Sequence, residues 1–269
     1  MNELVCPDED RVLSELVLHA DQHPEHALLQ FRSLVTAHQY LKLYRLFRRY
    51  VPKGSEVLDW GAGNGHFSYF LQRSGYKTTG YSIDDDFIVW VPSNGYSAVS
   101  GKPDDPVTLP FPSASFDAVS SVGVLEHVRE FNGDESASLR EISRILKPGG
   151  TFVCFHFPNR FSWIDFVGRH FLRGHHHEFM YTRNEIRKLV SDAGLELLEE
   201  RRYAILPRNA WHLLPRRIRG SKLIARIYDA LDAGIGLLLS PICQNHLFVA
   251  RVPENEAGSH TGQLPLRAI

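Results

Sequence analysis

The sequence predicts an α/β chain built on a doubly wound, mainly parallel seven-stranded sheet, with N-terminal helices and two insertions. Three observations carry this. Short apolar runs alternate with helical stretches of about 10–15 residues, as in a parallel sheet. A glycine-rich turn follows the first apolar run. The chain has 269 residues, 43% of them hydrophobic, which suffices for one large core but is short for two independent enzymatic domains.

Residues 1–53 read as a helical segment. From Glu25 onward, Ala27, Phe31, Leu34, Ala37, Leu41 and Tyr44 recur at steps of three or four, and Pro52 and Gly54 end the pattern. Strands follow at Ser55–Asp59, Lys77–Ile83, Ser97–Ser100, Phe116–Val122, Thr151–Phe157, Leu195–Tyr203 and His246–Val252. Helices fall between them at Gly65–Arg73, Asp85–Trp90, Asp134–Leu146 and Thr182–Ala193. The third is well punctuated: Asp134 caps it, Leu139, Ile142 and Leu146 form its stripe, and Lys147-Pro148-Gly149-Gly150 stops it. A domain therefore spans 54–252, interrupted by insertions at 158–183 and 204–244. The polar residues 253–269 read as a disordered tail.

Thirty Lys+Arg against 31 Asp+Glu give a formal charge of −1, so no whole-chain field favours nucleic acid or a membrane surface. The distribution is uneven. Residues 1–26 hold seven acids and one base, whereas 201–226 hold eight bases and no acid. Cys6, Cys154 and Cys243 are too scattered for a disulfide framework or a zinc knuckle, which suggests a reducing cytoplasm. The acidic N-terminus lacks the layout of a secretory signal. The apolar run Ala233–Cys243 is about half of the ~20 residues that span a bilayer, and reads as a buried helix or an interfacial face.

The most informative segment is Val57-Leu58-Asp59-Trp60-Gly61-Ala62-Gly63-Asn64-Gly65-His66-Phe67. Alternate glycines let a backbone approach its ligand closely, and the following helix start offers unpaired N–H donors. The dinucleotide fingerprint G-x-G-x-x-G would place its third glycine at His66, so a nicotinamide enzyme is disfavoured. Asp59, a carboxylate at a strand end, suits an ammonium group. A ligand with an amino-acid end and an adenosine end fits both features.

With this loop, LPFPSASFDAVSSVGVLEHV (Leu109–Val128) and LREISRILKPGGTFV (Leu139–Val153), the chain resembles the class I S-adenosylmethionine-dependent methyltransferases, in particular the small-molecule branch containing quinone-biosynthesis enzymes. The resemblance runs from about Gly54 to Glu199. It implies a Rossmann-like sheet and an S-adenosylmethionine site drawn from Asp59, Trp60, Gly61, Ala62, Gly63, Gly65, Phe67, Ser82, Ile83, Asp84, Asp105 and Val122. Asp59 and the glycines would hold the methionine part. The family's ribose-binding acid is replaced by Ser82, with Asp84 two residues later on the same strand face if the strand extends that far. Asp105 matches the position that accepts a hydrogen bond from the adenine amino group.

Methyl transfer from a sulfonium is an in-line displacement, so alignment and water exclusion supply much of the catalysis. A hydroxyl acceptor must also lose a proton. His127, His156 and His177, the last within the His175-His176-His177 run, are the candidate bases. Each has a structural alternative: pocket wall, core residue and solvated loop. Some quinone O-methyltransferases of the family bind a metal through E-x-x-E-H. Here Gly123 replaces the first acid ahead of Glu126 and His127, so metal-independent activity and no metal ligands are expected. The Pro-Pro-aromatic segment typical of nucleobase amino methylation is absent, which disfavours a nucleic-acid acceptor.

The expected function is transfer of a methyl group to a small or lipid-like acceptor, with oxygen preferred. The alternative is a non-catalytic S-adenosylmethionine-binding module or partner subunit. The basic, then apolar, stretch 201–243 could serve an amphiphilic acceptor or peripheral membrane contact.

Overall fold

The computed structural model describes residues 8–83, 91, 96–171 and 177–254. Its centre is one sheet of seven strands: β1 (Glu56–Trp60), β2 (Lys77–Ser82), β3 (Tyr96–Ser100), β4 (Phe116–Val122), β5 (Leu146–Pro158), β6 (Glu196–Tyr203) and β7 (Asn245–Arg251). The order is β3-β2-β1-β4-β5-β7-β6. All pairings are parallel except those of β7, which runs antiparallel to both β5 and β6. The strand order reverses between β1 and β4, and such a switch point opens a crevice beyond the carboxyl ends of the strands.

Alternating side chains feed two cores, one on each face of the sheet. Val57, Val153 and Phe155 pack under the N-terminal helices, while Leu58, Trp60, Phe152 and Cys154 face the opposite side. On the first face lie α1 (Glu9–Gln22), α2 (Leu34–Ala37), α3 (Tyr40–Tyr50) and α4 (His66–Arg73). The second face is covered by α5 (Glu135–Ile145) and α7 (Arg183–Asp192). The first insertion contributes α6 (Trp163–Phe171). The second contributes α8 (Arg216–Arg219) and α9 (Lys222–Leu238).

Strand positions agree closely with the sequence reading, and Asp134 caps α5 by accepting from the Ala137 N–H at 2.8 Å. The N-terminus differs. In place of one helix from Glu25, two 3-10 turns (Pro24–His26 and Leu29–Phe31) precede α2 and α3. Ala27 sits in the left-handed region (φ 51°), which no continuing helix tolerates, and the Ser33 hydroxyl caps a fresh start at Thr36. The sequence reading also left α1 unassigned, although Val12, Leu13, Leu16 and Ala20 make a buried stripe at helical spacing. The helix expected at Asp85–Trp90 lies outside the described residues, as do Asp84, His175, His176 and the chain beyond 254.

The two insertions meet. Trp163 Nε1 donates to the Ile205 carbonyl at 2.7 Å. Arg208, 4% exposed, is held by Asp229 (2.8 Å), Asp232 (3.2 Å) and the Val35 carbonyl (2.8 Å). Asp232 also accepts from the Ile205 and Leu206 N–H groups, so one carboxylate organises the turn after β6. Part of the basic run does oppose the acidic N-terminus: Arg219 and Arg216 lie 3.2 and 3.5 Å from Asp21. Among the described residues, no helix is long and apolar enough to cross a membrane.

Candidate functional site

The glycine loop joins β1 to α4 at the switch point. Its shape is set by two N–H groups, of Gly61 and Ala62, that donate to the Tyr81 carbonyl at 2.8 and 2.9 Å and tie the loop to β2. Gly61 has φ 74°, and a Cβ there would lie 2.3 Å from the Val124 side chain, so only glycine fits. Asp59 stands behind this loop rather than in it. It is 2% exposed and accepts from Ser68 Oγ (2.7 Å) and Ser120 Oγ (3.2 Å), which fastens α4 to β1 and β4. Burial pushes its pKa up to about 6, against the pull of those hydroxyls.

A cavity of about 230 Å³ opens beside the loop. Of the predicted cofactor residues, Trp60, Gly61, Ser82 and Ile83 line it; its other walls are Tyr81, Pro106, Gly123, Val124, His127, Val128, Glu130 and Phe131. Asp105 lies next to Pro106 and accepts from the Thr108 N–H at 3.0 Å, which shapes the turn and lowers its pKa. Ala62, Gly63, Gly65 and Val122 are outside the lining, and Phe67 is buried in the core against Phe47 and Phe70.

Gly123 is the partition between this cavity and a second group of side chains. A Cβ on Gly123 would lie 3.8 Å from Glu126 Oε1 and 3.9 Å from His156 Cβ. Glu126 is 4% exposed, and its Oε2 has no hydrogen-bond partner among the described residues. Burial, reinforced by the charge of Glu130, pushes its pKa up to about 8.

His156 occupies the left-handed region at φ 67°, in the register shift between β5 and β7. That bulge reverses the alternation of β5, so that Phe155 and Phe157 enter opposite cores two residues apart. A non-glycine residue held there marks a position over-determined by its surroundings. The His156 N–H donates to Tyr203 Oη at 2.9 Å; the same hydroxyl lies 2.9 Å from Nδ1, and Asn245 Nδ2 lies 3.4 Å away. When the Tyr203 hydroxyl and the Asn245 amide both donate to Nδ1, the ring proton sits on Nε2. Desolvation holds the ring's pKa at about 3, with the charges of His66 and His177 adding to the effect. Burial therefore keeps the His156 ring neutral near pH 7.

The other two histidines stand together, with ring centroids 6.3 Å apart. His127 Nδ1 pairs with Glu130 at 2.7 Å, and its Nε2 is 3.9 Å from Glu126 Oε1. His177 Nδ1 lies 3.1 Å from Asp165. Although burial raises the Asp165 pKa, hydrogen bonds from His177 and Ser162 outweigh it and hold it at about 2.

Sequence reasoning passed over Tyr40 and read His66 only as the residue standing where a dinucleotide fingerprint has its third glycine. The His66 ring packs against Tyr40 (4.9 Å) and Phe31 (5.3 Å), and Tyr40 lies 5.4 Å from His156. His66 Nδ1 is buried without a partner among the described residues, and burial lowers the pKa to about 3. The only hint in the sequence is that His66 opens the helix after the glycine loop.

A family model described as a methyltransferase domain matches residues 30–200, which include the loop, the cavity walls and Tyr40, His66, Glu126 and His156. This chain belongs to the methyltransferase domain family. S-adenosylmethionine is the family's methyl donor. Among curated relatives, a demethylmenaquinone methyltransferase of Tropheryma whipplei is 31% identical over 165 residues, covering 56% of this chain and 59% of that protein. A 2-methyl-6-phytyl-1,4-hydroquinone methyltransferase of Synechocystis is 34% identical over 106 residues, covering 38% and 32%. The chain thus spans three fifths or less of the length of these relatives. Among solved structures, a methyltransferase bound to the Trm112 activator in Haloferax volcanii superposes with TM-score 0.57 at 23% identity, covering 89% of this chain and 98% of that one. The [4+2]-cyclase SpnF gives TM-score 0.55 at 18% identity, with 82% of each chain covered. These likenesses establish the fold, and the cyclase shows that the methyltransferase fold does not by itself fix the reaction.

Proposed function

We propose that this methyltransferase-family chain transfers a methyl group from S-adenosylmethionine to a small or lipid-like acceptor, with a hydroxyl oxygen as the favoured nucleophile. The observation that carries the reading is the Gly123 partition: a cavity at the switch point stands on one side, and a buried carboxyl poised near neutrality, Glu126, on the other. The residues present fit the donor. The Gly61 backbone forms a cradle that any Cβ would close, and Ser82 ends β2 with Ile83 just beyond it at the cavity wall, where the adenosine part belongs. Trp60, Gly61, Ser82, Ile83 and Val124 would hold it, with Asp105 at the adenine end, and Asp59 would support the loop from behind. When bound, the donor supplies an activated methyl group.

The chain's own residues supply the rest. Glu126, with a pKa near 8, is matched to taking a proton from a hydroxyl near neutral pH. His156 presents Nε2–H and orients the acceptor oxygen; Tyr203 and Asn245 fix that tautomer. His127 and the His177–Asp165 pair stand at the mouth as a second proton relay. Tyr40, His66 and Phe31 exclude water from the side of the N-terminal helices.

An amphiphilic acceptor is supported by a groove of about 530 Å³ lined by Lys42, Arg45, Arg49, Arg201 and Arg202, three of them paired with Asp232 or Glu199 on the same wall, and by Leu46, Leu237 and Leu247. Tyr203 forms part of its wall and touches His156, so the groove and the acceptor site share one side chain. On α9, Leu223, Ile227, Leu231 and Leu238 form an exposed stripe at four- and seven-residue spacing, which supports peripheral membrane contact through 201–243. In this reading, residues 54–252 form one catalytic domain whose insertions build the acceptor side, a small molecule rather than nucleic acid is methylated, and the protein works in the cytoplasm.

The deciding experiment combines calorimetry with S-adenosylhomocysteine and turnover assays on hydroxylated aromatic and prenylated acceptors with labelled donor. Binding with product formation that falls at least a hundredfold in Glu126→Gln supports the assignment. Failure to bind at millimolar ligand refutes it. Binding without transfer to any acceptor would favour a non-catalytic module, and a methyl group on ring carbon would move the nucleophile to carbon.

A further inference from the structure

We propose that His19, His23, Glu25 and His26 form a binding site for a zinc-class divalent ion, separate from the proposed acceptor side, at the turn that follows α1. His19 lies on the last turn of α1, and His23, its C-cap residue, brings its ring beside that of His19. Pro24 then turns the chain so that His26 comes back against them. The three imidazoles pack as a triangle with centroids 4.5, 4.9 and 5.1 Å apart. Donor atoms of His23, Glu25 and His26 all lie within 4.8 Å of one another. His19 Nε2 is 2.7 Å from His26 Nδ1, and His23 Nδ1 is 3.0 Å from Glu25 Oε1.

Three nitrogens and one carboxylate oxygen are the donors that zinc takes in tetrahedral sites, with metal–nitrogen distances of about 2.0–2.1 Å. Such bonds place neighbouring donors about 3.3 Å apart. The His23 and Glu25 side chains are 44% and 61% exposed, so little packing opposes the rotations that bring their donors from within 4.8 Å to bonding distance. The backbone that carries them is already fixed: the His23 N–H donates to His19 O (2.8 Å), His26 N–H to His23 O (3.1 Å) and Ala27 N–H to Pro24 O (3.2 Å). Thiolates are absent from the set, which favours zinc, nickel or copper over cadmium-like soft ions.

The site's position gives it a consequence. Ala27, the residue after His26, accepts from Asn64 Nδ2 of the glycine loop at 3.3 Å, and the next turn delivers Phe31 to the His66 ring. A bound ion therefore pins the segment that closes over the loop's outer side.

The test uses untagged full-length protein, titrated with Zn2+ against a chromophoric chelator and with Co2+ by absorption spectroscopy. One ion per chain, a tetrahedral Co2+ spectrum and a higher thermal midpoint with Zn2+ are expected. His23→Ala/His26→Ala should weaken Zn2+ binding at least tenfold, and Glu25→Gln by a smaller factor. Replacing His175, His176 and His177 together by Ala should leave binding unchanged. Unaltered binding in the His23/His26 variant, or loss in the 175–177 variant, overturns the proposal. So does an octahedral Co2+ spectrum of the unmutated protein, which holds even if a variant fails to fold. These readouts require neither methyl donor nor turnover, so they are independent of the proposed transferase activity.

Discussion

Replacing Glu126 by Gln tests the acceptor site through stability as well as activity. The amide keeps the shape of the carboxyl and removes its charge. In the folded chain, burial raises the Glu126 pKa from 4.5 to about 8. A carboxyl whose folded pKa is raised binds its proton more tightly when folded. The wild type therefore loses stability as pH climbs through the window from about 4.5 to about 8, and the loss is constant above it. At about 1.36 kcal/mol per tenfold change in proton affinity, the penalty is near zero at pH 4, about 3 kcal/mol at pH 7 and about 5 kcal/mol at pH 9, as order-of-magnitude values. Glu126→Gln is free of it. Urea unfolding of both proteins at pH 5, 7 and 9 should show the variant gaining on the wild type by several kcal/mol across that range. Asp59 and the other carboxyls contribute equally to both proteins and cancel in the difference. A stability difference that does not vary with pH would refute the assignment of Glu126 as a carboxyl that burial pushes toward its neutral form. The variant should meanwhile lose the limb near pH 8 through which wild-type kcat/KM rises with pH.

Gly61→Ala should lower S-adenosylhomocysteine affinity by at least tenfold in calorimetry, because its Cβ would meet the Val124 side chain and close the cradle. Tyr203→Phe removes the hydroxyl that sets the His156 tautomer; kcat should fall about tenfold to a hundredfold with donor affinity unchanged, and NMR of the His156 ring should show mixed tautomers. Arg208→Ala leaves Asp232 buried with one cation fewer and should cost about 3–5 kcal/mol in denaturant unfolding. Leu231→Ser/Leu238→Ser on the exposed stripe of α9 should reduce sedimentation with anionic vesicles several-fold without changing the melting temperature.

What the sequence disclosed and what it concealed differ in range. The strands and the helices α4, α5 and α7 are written locally, by alternation, spacing and caps such as Asp134, and a window of some ten residues suffices to read them. The glycine loop is local too: Gly61 needs its φ of 74° whatever lies elsewhere. The proposed acceptor side draws on Tyr40, His66, Glu126, His156, Tyr203 and Asn245, contributed by six separate stretches of chain. None has a periodic signature, and the property that matters, a pKa near 8 at Glu126 or near 3 at His156, comes from what surrounds each group. Asp59 shows the same limit in reverse. Its motif position is plain, yet its partners, Ser68 and Ser120, lie 9 and 61 residues away and turn it toward the helix it anchors.

The bulge at His156 connects the two ranges. An unbroken β5 would send Phe157 to the same face as Phe155 and leave residue 156 directed into the opposite core. The left-handed residue resets the alternation, so Phe157 packs on Tyr181 and Phe248, while the His156 ring meets Tyr40 and Tyr203 beside Gly123. Replacing His156 by Gly should therefore preserve the fold, since glycine accepts φ 67° without strain, yet remove the donor at the acceptor oxygen. His156→Val keeps an apolar volume but places a β-branched residue where φ is positive, and should unfold at lower denaturant than His156→Gly. If the two variants were equally stable, the bulge would be a tolerant feature of β5 rather than the device that sets the histidine at the site.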